Sequence, residues 1–436
     1  MKKLPSLLPL LMLSLILLLS SSACLSRPSA GESSDESTTV PSGPGNSDTI
    51  TSTDKTGMTT GTTKEGATAG PIDGTELSIF LQTVALPDNL TVSFDPDNVK
   101  TVASARIYIA REQLFDVDNA RQQLLRRAVI DSKEYAEGPW FETGDASLKE
   151  YLCVYHGVIK GGLIYTLIRD GVWLTMKLTD VIVDEPGPED YYGYGRFEYA
   201  LKKSSFRSGA DLPFMSFANT RTALMDLLHK SGFPEMEISE TYSLDLETIK
   251  AQYEIFLAES SVLYPEREMS DKTWSESDTC YLFLMRQLID QIPVSDQGWQ
   301  GQGATSSPAG NPMPISRTTV YWTHDGLAAI RAYGLYELLE SEPEKPLIGP
   351  VQALQVLLED LCKIIISRPT WIESVELCYV SVQSKQDSES FTLLPAWVIC
   401  LGEELETAWP DEQSPVTIKD YEYVVIDAIT GSKLSR

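Results

Sequence analysis

The chain has 436 residues, 42% of them hydrophobic, with 62 acidic against 35 basic side chains and a net charge of −27. That length and apolar content supply a core for one or two domains. The acidic excess repels phosphate backbones and anionic headgroups, which argues against nucleic acid as a partner and against electrostatic docking on a membrane.

The N-terminus has the three parts of an export leader. Lys2 and Lys3 form a charged start, and Leu4 to Ser20 is apolar, interrupted by Pro5 and Pro9. The run is short for a spanning helix and has no stop-transfer flank. The four residues that close it, Ser21-Ser22-Ala23-Cys24, resemble the lipobox of bacterial lipoprotein signal peptides. That family prefers Leu where this chain has Ser21. The resemblance implies a signal peptide over residues 1–23, a diacylglyceryl group on Cys24, and anchoring on the outer face of the cell membrane. Ser-x-Ala also suits ordinary signal peptidase, which would cut the same bond. Two acyl chains are what stable anchoring requires.

Residues 24–74 are rich in Ser, Thr, Gly, Pro and acid, and Phe80 is the first aromatic residue of the chain. Such a stretch has little to bury and reads as a disordered tether. The flexible part spans roughly 35–40 Å on average, enough to lift a domain off a bilayer. Two penicillin-binding signatures overlap inside it, Ser52-Thr53-Asp54-Lys55 and Lys55-Thr56-Gly57. In that family the two motifs stand far apart and meet across a site. Sharing one lysine in a disordered segment, they carry no catalysis here.

The folded part begins near residue 75. Alternation predicts a strand over Leu90 to Phe94 and a turn over Asp95 to Asn98. A second strand is expected through Arg106 to Ile109. Asp118 or Asn119 is the expected cap of a helix over Ala120 to Val129. Cys153 to Leu178 reads as paired hairpins, with turns at Lys160-Gly161-Gly162 and Asp170-Gly171. Phe217 to Gly232 reads as a helix, with Ala223, Leu224, Leu227 and Leu228 on one face and Gly232 as its stop. A further helix is expected over Leu244 to Leu257, capped by Ser243. Thr273 to Ile292 reads as a strand followed by a helix. Residues 295–314 are a Gly-, Ser- and Pro-rich loop and the expected boundary between two halves.

Beyond that loop the pattern partly repeats. A strand, an Asp325-Gly326 turn and a strand lead to a helix with Ala353, Leu354, Leu357 and Leu358 inward. Strands at Met236 to Ile238 and Val375 to Val380 follow the two helices. Leu393 to Leu401 and Tyr423 to Ile429 close the chain, before a Thr430-Gly431-Ser432 turn. Hairpins with flanking helices, without strict βαβ alternation, predict α+β: two pseudo-repeated halves of mostly antiparallel sheet, over 75–294 and 315–436, after the tether.

The Ala353-Leu354 helix, the strand Val375 to Val380, the segment Leu393 to Trp397 and the ending Tyr423 to Gly431 resemble extracytoplasmic regulators of the YycH/YycI type, and more loosely PepSY modules. Leader, tether and two-part body together resemble uncharacterised surface lipoproteins of Firmicutes, which are Gram-positive. YycH and YycI proteins have a membrane helix where this chain has a lipobox, so contact with a kinase through the membrane does not carry over. What the resemblance implies is a regulatory role outside the cytoplasm.

Residues that carry chemistry are sparse. The three histidines are His156, His229 and His324, and none lies in a zinc-protease pattern. Cys153 and His156 are three apart, which on a strand sets them on opposite faces, so they do not share a metal. His229 falls near a helix C-terminus, where an imidazole offsets the dipole. His324 is a turn residue beside Asp325. There is no G-x-S-x-G elbow and no phosphate-binding loop, and Gly301-Gln302-Gly303 lacks the strand and helix that a dinucleotide fingerprint needs. The acidic run Asp184 to Asp190 reads as a solvated loop before a calcium site. No cofactor is expected. Of the six cysteines, those other than Cys24 are expected as free, mostly buried thiols; Cys378 and Cys400 fall in strand-like runs, where neighbouring thiols would meet.

The candidate binding surface is Tyr191, Tyr192, Tyr194, Arg196, Phe197 and Tyr199, a cluster of the residue types that anchor interfaces. Its alternative is a hairpin whose aromatics pack on a sheet. These readings point to a non-enzymatic, lipid-anchored surface protein that binds an envelope protein or peptide and regulates a sensor or enzyme. The alternatives are a cell-wall or glycan-binding lipoprotein and, third, an envelope hydrolase.

Overall fold

Apolar runs that alternate or stay continuous over long stretches give this chain two sheets, each with its own helices. The computed structural model describes residues 74–145, 147–182, 205–263, 272–297, 316–384, 387, 389–407 and 416–434. The leader, Cys24, the tether with its overlapping signatures, the acidic run, the tyrosine cluster and most of the 295–314 loop lie outside the described residues. Residues 69–436 form one unit by their contacts.

The first sheet has six strands. They are β1 (Leu90–Val92), β3 (Tyr108–Glu112), β14 (Tyr336–Ser341), β16 (Thr370–Gln383), β17 (Ser390–Thr407) and β18 (Val416–Asp427). The order is β1-β16-β17-β3-β14, with β18 also on β17. β1 runs parallel to β16, and the other pairs are antiparallel. Two helices, α1 (Gly74–Thr83) and α6 (Pro350–Leu361), cover one face. Ala353, Leu354, Leu357 and Leu358 of α6 are all buried there, as the periodicity predicts. Leu77 of α1 joins them beneath Trp397.

The second sheet has ten strands. In sequence these are β4 (Val129–Tyr135), β5 (Gly138–Gly144), β6 (Leu148–Val154), β7 (Leu163–Arg169), β8 (Val172–Trp173), β9 (Met236–Leu244), β10 (Cys280–Ile289), β11 (Ile292–Pro293), β12 (Arg317–Thr323) and β13 (Gly326–Tyr333). Their order is β11-β10-β12-β13-β7-β6-β5-β4, with β8 on β7 and β9 on β10. One face packs against α2 (Val117–Leu124) and α4 (Phe217–Lys230), through Leu124, Leu224 and Leu228. The other meets α3 (Leu174–Ile182) and α5 (Leu246–Leu263), through Leu178, Ile249 and Tyr253. A short pair, β2 (Ser104–Ala105) with β15 (Lys345–Pro346), completes the fold. The class is α+β, with largely antiparallel sheet.

Of the expected boundary at 295–314 only residues 295–297 are described, and the strands on its two sides do not separate into different sheets. Strands β12 and β13 follow it and pair with β10 and β7, which precede it. In turn β1 and β3, from the first quarter of the chain, pair with β16 and β17 near its end. A Gly- and Ser-rich composition reports a connection; it does not report which strands the connection joins. The echoed elements are present, hairpins at Asp170-Gly171 and Asp325-Gly326 and a helix followed by a strand, α4 to β9 and α6 to β16, but both hairpins lie in the ten-stranded sheet, so the echo does not mark two separate halves.

Local corrections follow the same logic. Helix α2 is capped by Asp116, whose carboxylate accepts from the N–H groups of Asp118 and Asn119. Those two residues were themselves the expected caps, and the helix ends at Leu124, with Val129 opening β4. The Asp170-Gly171 turn forms, with both residues at positive φ. Its second strand is only Val172–Trp173, because the chain then enters α3 where a strand to Leu178 was expected. Helix α5 is capped by Asp245, which accepts from the Thr248 N–H at 2.9 Å, and Ser243 stays in β9. Cys280 to Ile289 is one strand without a helix after it. Both its faces are covered, so it shows no alternation to read.

The two sheets meet along a seam on β10. Arg286 reaches Glu376 of β16, and the Gln287 side chain bonds both backbone groups of Tyr336 at 2.8 Å. The Ser295 N–H donates to the Tyr379 carbonyl at 2.8 Å. At the β10–β11 turn Asp290 and Gln291 both have positive φ. Tyr108 of β3 donates its hydroxyl to the Asp290 carboxylate, tying that turn to the first sheet.

Candidate functional site

One cleft among the described residues gathers charged side chains from three separate stretches of sequence. Strand β7 supplies Leu167 and Arg169, and the turn after it Asp170. Val172 of β8 and Leu174 and Lys177 of α3 form one wall. Ser277 and Asp278 come from the turn before β10, and Thr323, Asp325 and Ala328 from the β12–β13 hairpin. The cavity is about 180 Å³. That is below the size of common small-molecule pockets, and suits one side chain or a chain terminus.

Its charges come in pairs. Lys177 Nζ lies 2.7 Å from Asp278 Oδ1, and 4.7 Å from the centre of the Trp274 ring. Asp278 Oδ2 accepts from the Ser275 N–H at 2.8 Å and the Ser275 hydroxyl at 3.1 Å. Arg169 pairs with Asp325, and His324 Nε2 is 3.3 Å from Asp325 Oδ1. The Trp274 indole N–H beside Lys177 is buried without a hydrogen-bond partner. A buried indole donor left open is costly.

A buried network behind the cleft fixes the position of Asp325. Glu150 of β6 is fully buried. It accepts from the Thr143 hydroxyl at 2.9 Å, the Tyr165 hydroxyl at 3.0 Å, and both the backbone N–H and Nε of Arg126, at 3.1 and 3.2 Å. Arg127 stands 3.3 Å from the same carboxylate. Held this way, Arg126 donates to the carbonyls of Asp325 and Leu327, the latter at 2.7 Å. The β12–β13 turn is therefore pinned through its backbone by Arg126 and through its carboxylate by Arg169. Gly326 takes φ +88°, which the turn requires of a residue without a Cβ.

Sequence reasoning placed His324 and Asp325 in this turn and set them side by side, which holds. It missed Arg169, Lys177 and Asp278, and nothing in their spacing signals that they meet. The candidate surface Tyr191, Tyr192, Tyr194, Arg196, Phe197 and Tyr199 lies outside the described residues.

The other residues singled out lie apart. His156 is exposed in the β6–β7 connection while Cys153 is buried in β6. His229 is exposed in the last turn of α4. Cys153, Cys280 and Cys378 are buried free thiols, Cys400 is buried, and Cys362 is exposed. Cys378 and Cys400 lie on adjacent strands but face Ala396 and Ser374, so they do not meet. Among the described residues no group of three His, Cys, Asp or Glu side chains is placed to hold a metal. None of their helices is long and apolar enough to cross a membrane.

No family model and no curated protein matches the chain. Among solved structures it is similar to the crystal structure of an uncharacterized protein from Eubacterium rectale ATCC 33656. The identity is 17% and the TM-score 0.50, over 80% of this chain and 91% of that one. At that identity the likeness is one of fold.

Proposed function

We propose that the chain is a non-enzymatic surface lipoprotein, anchored through a diacylglyceryl group on Cys24, whose α+β body binds a protein or peptide partner of the cell envelope. The observation that carries the binding half of this reading is the cleft. It has the volume of one side chain, is walled by Arg169–Asp325 and Lys177–Asp278 ion pairs, and keeps an unpartnered indole donor beside them. A polar side chain or a carboxylate terminus entering it would find cations and anions in place. Both cations are neutralised by carboxylates, an arrangement suited to recognition and not to proton transfer. A regulatory outcome of binding, as in the YycH/YycI-type proteins, is part of the same proposal.

The test is capture from envelope extract on the immobilised full chain, run beside Lys177→Gln and Arg169→Gln variants of unchanged melting temperature. The reading expects a specific protein retained by the parent chain and lost from both variants. Retention that ignores both substitutions contradicts it. Retention of isolated wall polysaccharide in place of a protein would favour the glycan-binding alternative.

A further inference from the structure

Strand β4, Val-Ile-Asp-Ser-Lys-Glu-Tyr over Val129–Tyr135, sits at one end of the ten-stranded sheet and, among the described residues, pairs with β5 alone. Six of its seven residues are exposed, so neither of its faces is covered by the fold. Ile130 is 60% exposed and Val129 38%. The hairpin is nevertheless firmly held at its turn. The Ala136 and Glu137 carbonyls accept from Val158 and His156 N–H groups at 2.8 Å. Gly138 lies so close to the Val154 carbonyl that a Cβ would stand 2.1 Å from it. A positioned edge strand that buries nothing of its own is a template for another strand.

The sequence of β4 specifies which strand. Asp131 and Lys133 share one face and pair with each other at 2.8 Å. We propose that β4 pairs antiparallel with β4 of a second copy of this chain, about a twofold axis through Ser132. In that register Asp131 of each copy lies opposite Lys133 of the other, so the exposed ion pair becomes a square of alternating charge. Ile130 lies against the aliphatic stem of Glu134. Neighbouring registers that keep the faces aligned are repulsive. An axis at Asp131 sets two aspartates against each other, and an axis at Lys133 sets two lysines, and like charges directly opposite disfavour pairing. The bulge at Ile130, where the β4–β5 register shifts, ends the regular ladder and keeps the paired stretch short. The contact is isologous and, being small, reversible. It is independent of the cleft and of the lipid.

Disulfide trapping on the full chain tests the register. Ser132→Cys is introduced with Cys362→Ser, which removes the exposed thiol, and Val158→Cys in the same background is the control at a residue 75% exposed. Under mild oxidation the Ser132→Cys chain is expected to give severalfold more covalent dimer than the control. Asp131→Lys should reduce that yield severalfold, and adding Lys133→Asp should restore it, because the exchanged pair is again self-complementary. Dimer no greater than the control, a product whose mass is not twice that of the chain, or a yield indifferent to Asp131→Lys would overturn the proposal.

Discussion

Arg286 of β10 grips Glu376 of β16 with both terminal nitrogens, at 2.7 and 2.6 Å, and so bolts the ten-stranded sheet to the six-stranded one. The same guanidinium also holds Glu237 at 2.7 Å, with Asp296 at 3.8 Å. Three carboxylates thus share one arginine whose side chain is 9% exposed. Removing a buried member of such a set leaves uncompensated charge, at a cost of about 3–5 kcal/mol. Arg286→Met should destabilise the chain by about 3 kcal/mol, read by chemical denaturation. Glu376 is 43% exposed and water replaces part of its role, so Glu376→Gln should cost clearly less. An Arg286→Met chain as stable as its parent would show that the sheets are joined without this arginine, by packing and the remaining seam hydrogen bonds.

The Asp290–Tyr108 contact sets a pH dependence. Burial first, and then the hydrogen bond to Asp290, push the Tyr108 phenol up to about 12, against an ordinary value of about 10. A group raised on folding contributes stability that is complete below its unfolded value and lost as pH rises through its folded one. Melting temperature should therefore fall between about pH 10 and pH 12. Tyr108→Phe should make that slope shallower, while other buried tyrosines keep part of it. A slope unchanged by Tyr108→Phe counts against the contact.

Thiol reactivity separates the cysteines. Burial, then Glu137 and Glu134, push the Cys153 thiol up to about 12, and burial raises Cys280 and Cys378 as well. Thiolate is the reactive form, so these stay inert at neutral pH. Of the five cysteines of the folded body, Cys362 alone should be alkylated in the native chain, with the other four following on denaturation. Peptide mass mapping reads the outcome, and rapid native labelling of Cys378 or Cys400 would mean the β16–β17 strands open.

The elements that could be read from the sequence are those whose signal is local. In α6, four apolar residues at helical spacing face one core, and all four are buried. The stop of α4 at Gly232, at φ +84°, was legible because that conformation favours glycine. The cap expected at Asp118 or Asn119 is Asp116, two residues earlier, since all three side chains can accept a cap hydrogen bond. The run containing Arg286 showed no period because it is buried on both sides, and a buried strand and a buried helix look alike over ten residues. The pairing of β12 and β13 with earlier strands is a long-range fact with no local trace. The cleft is of that kind: Arg169, Lys177, Asp278 and Asp325 meet only once the second sheet is assembled.

The proposed anchor has its own chemical signature. Both peptidases that suit the leader cut before Cys24, so the new N-terminus alone does not distinguish them. Mass spectrometry of the mature N-terminal peptide should find a diacylglyceryl adduct on Cys24. An unmodified cysteine there would make the chain a freely secreted protein.

The most direct test of partner binding places a photo-crosslinking amino acid at Val172, which lines the cleft and is 48% exposed. The comparison is Ile255 of α5, 44% exposed and not among the cleft residues. In living cells the account predicts that the probe at Val172 joins the chain to one envelope protein or peptide, and that the probe at Ile255 does not. No adduct at Val172, or the same adducts at both positions, would contradict it.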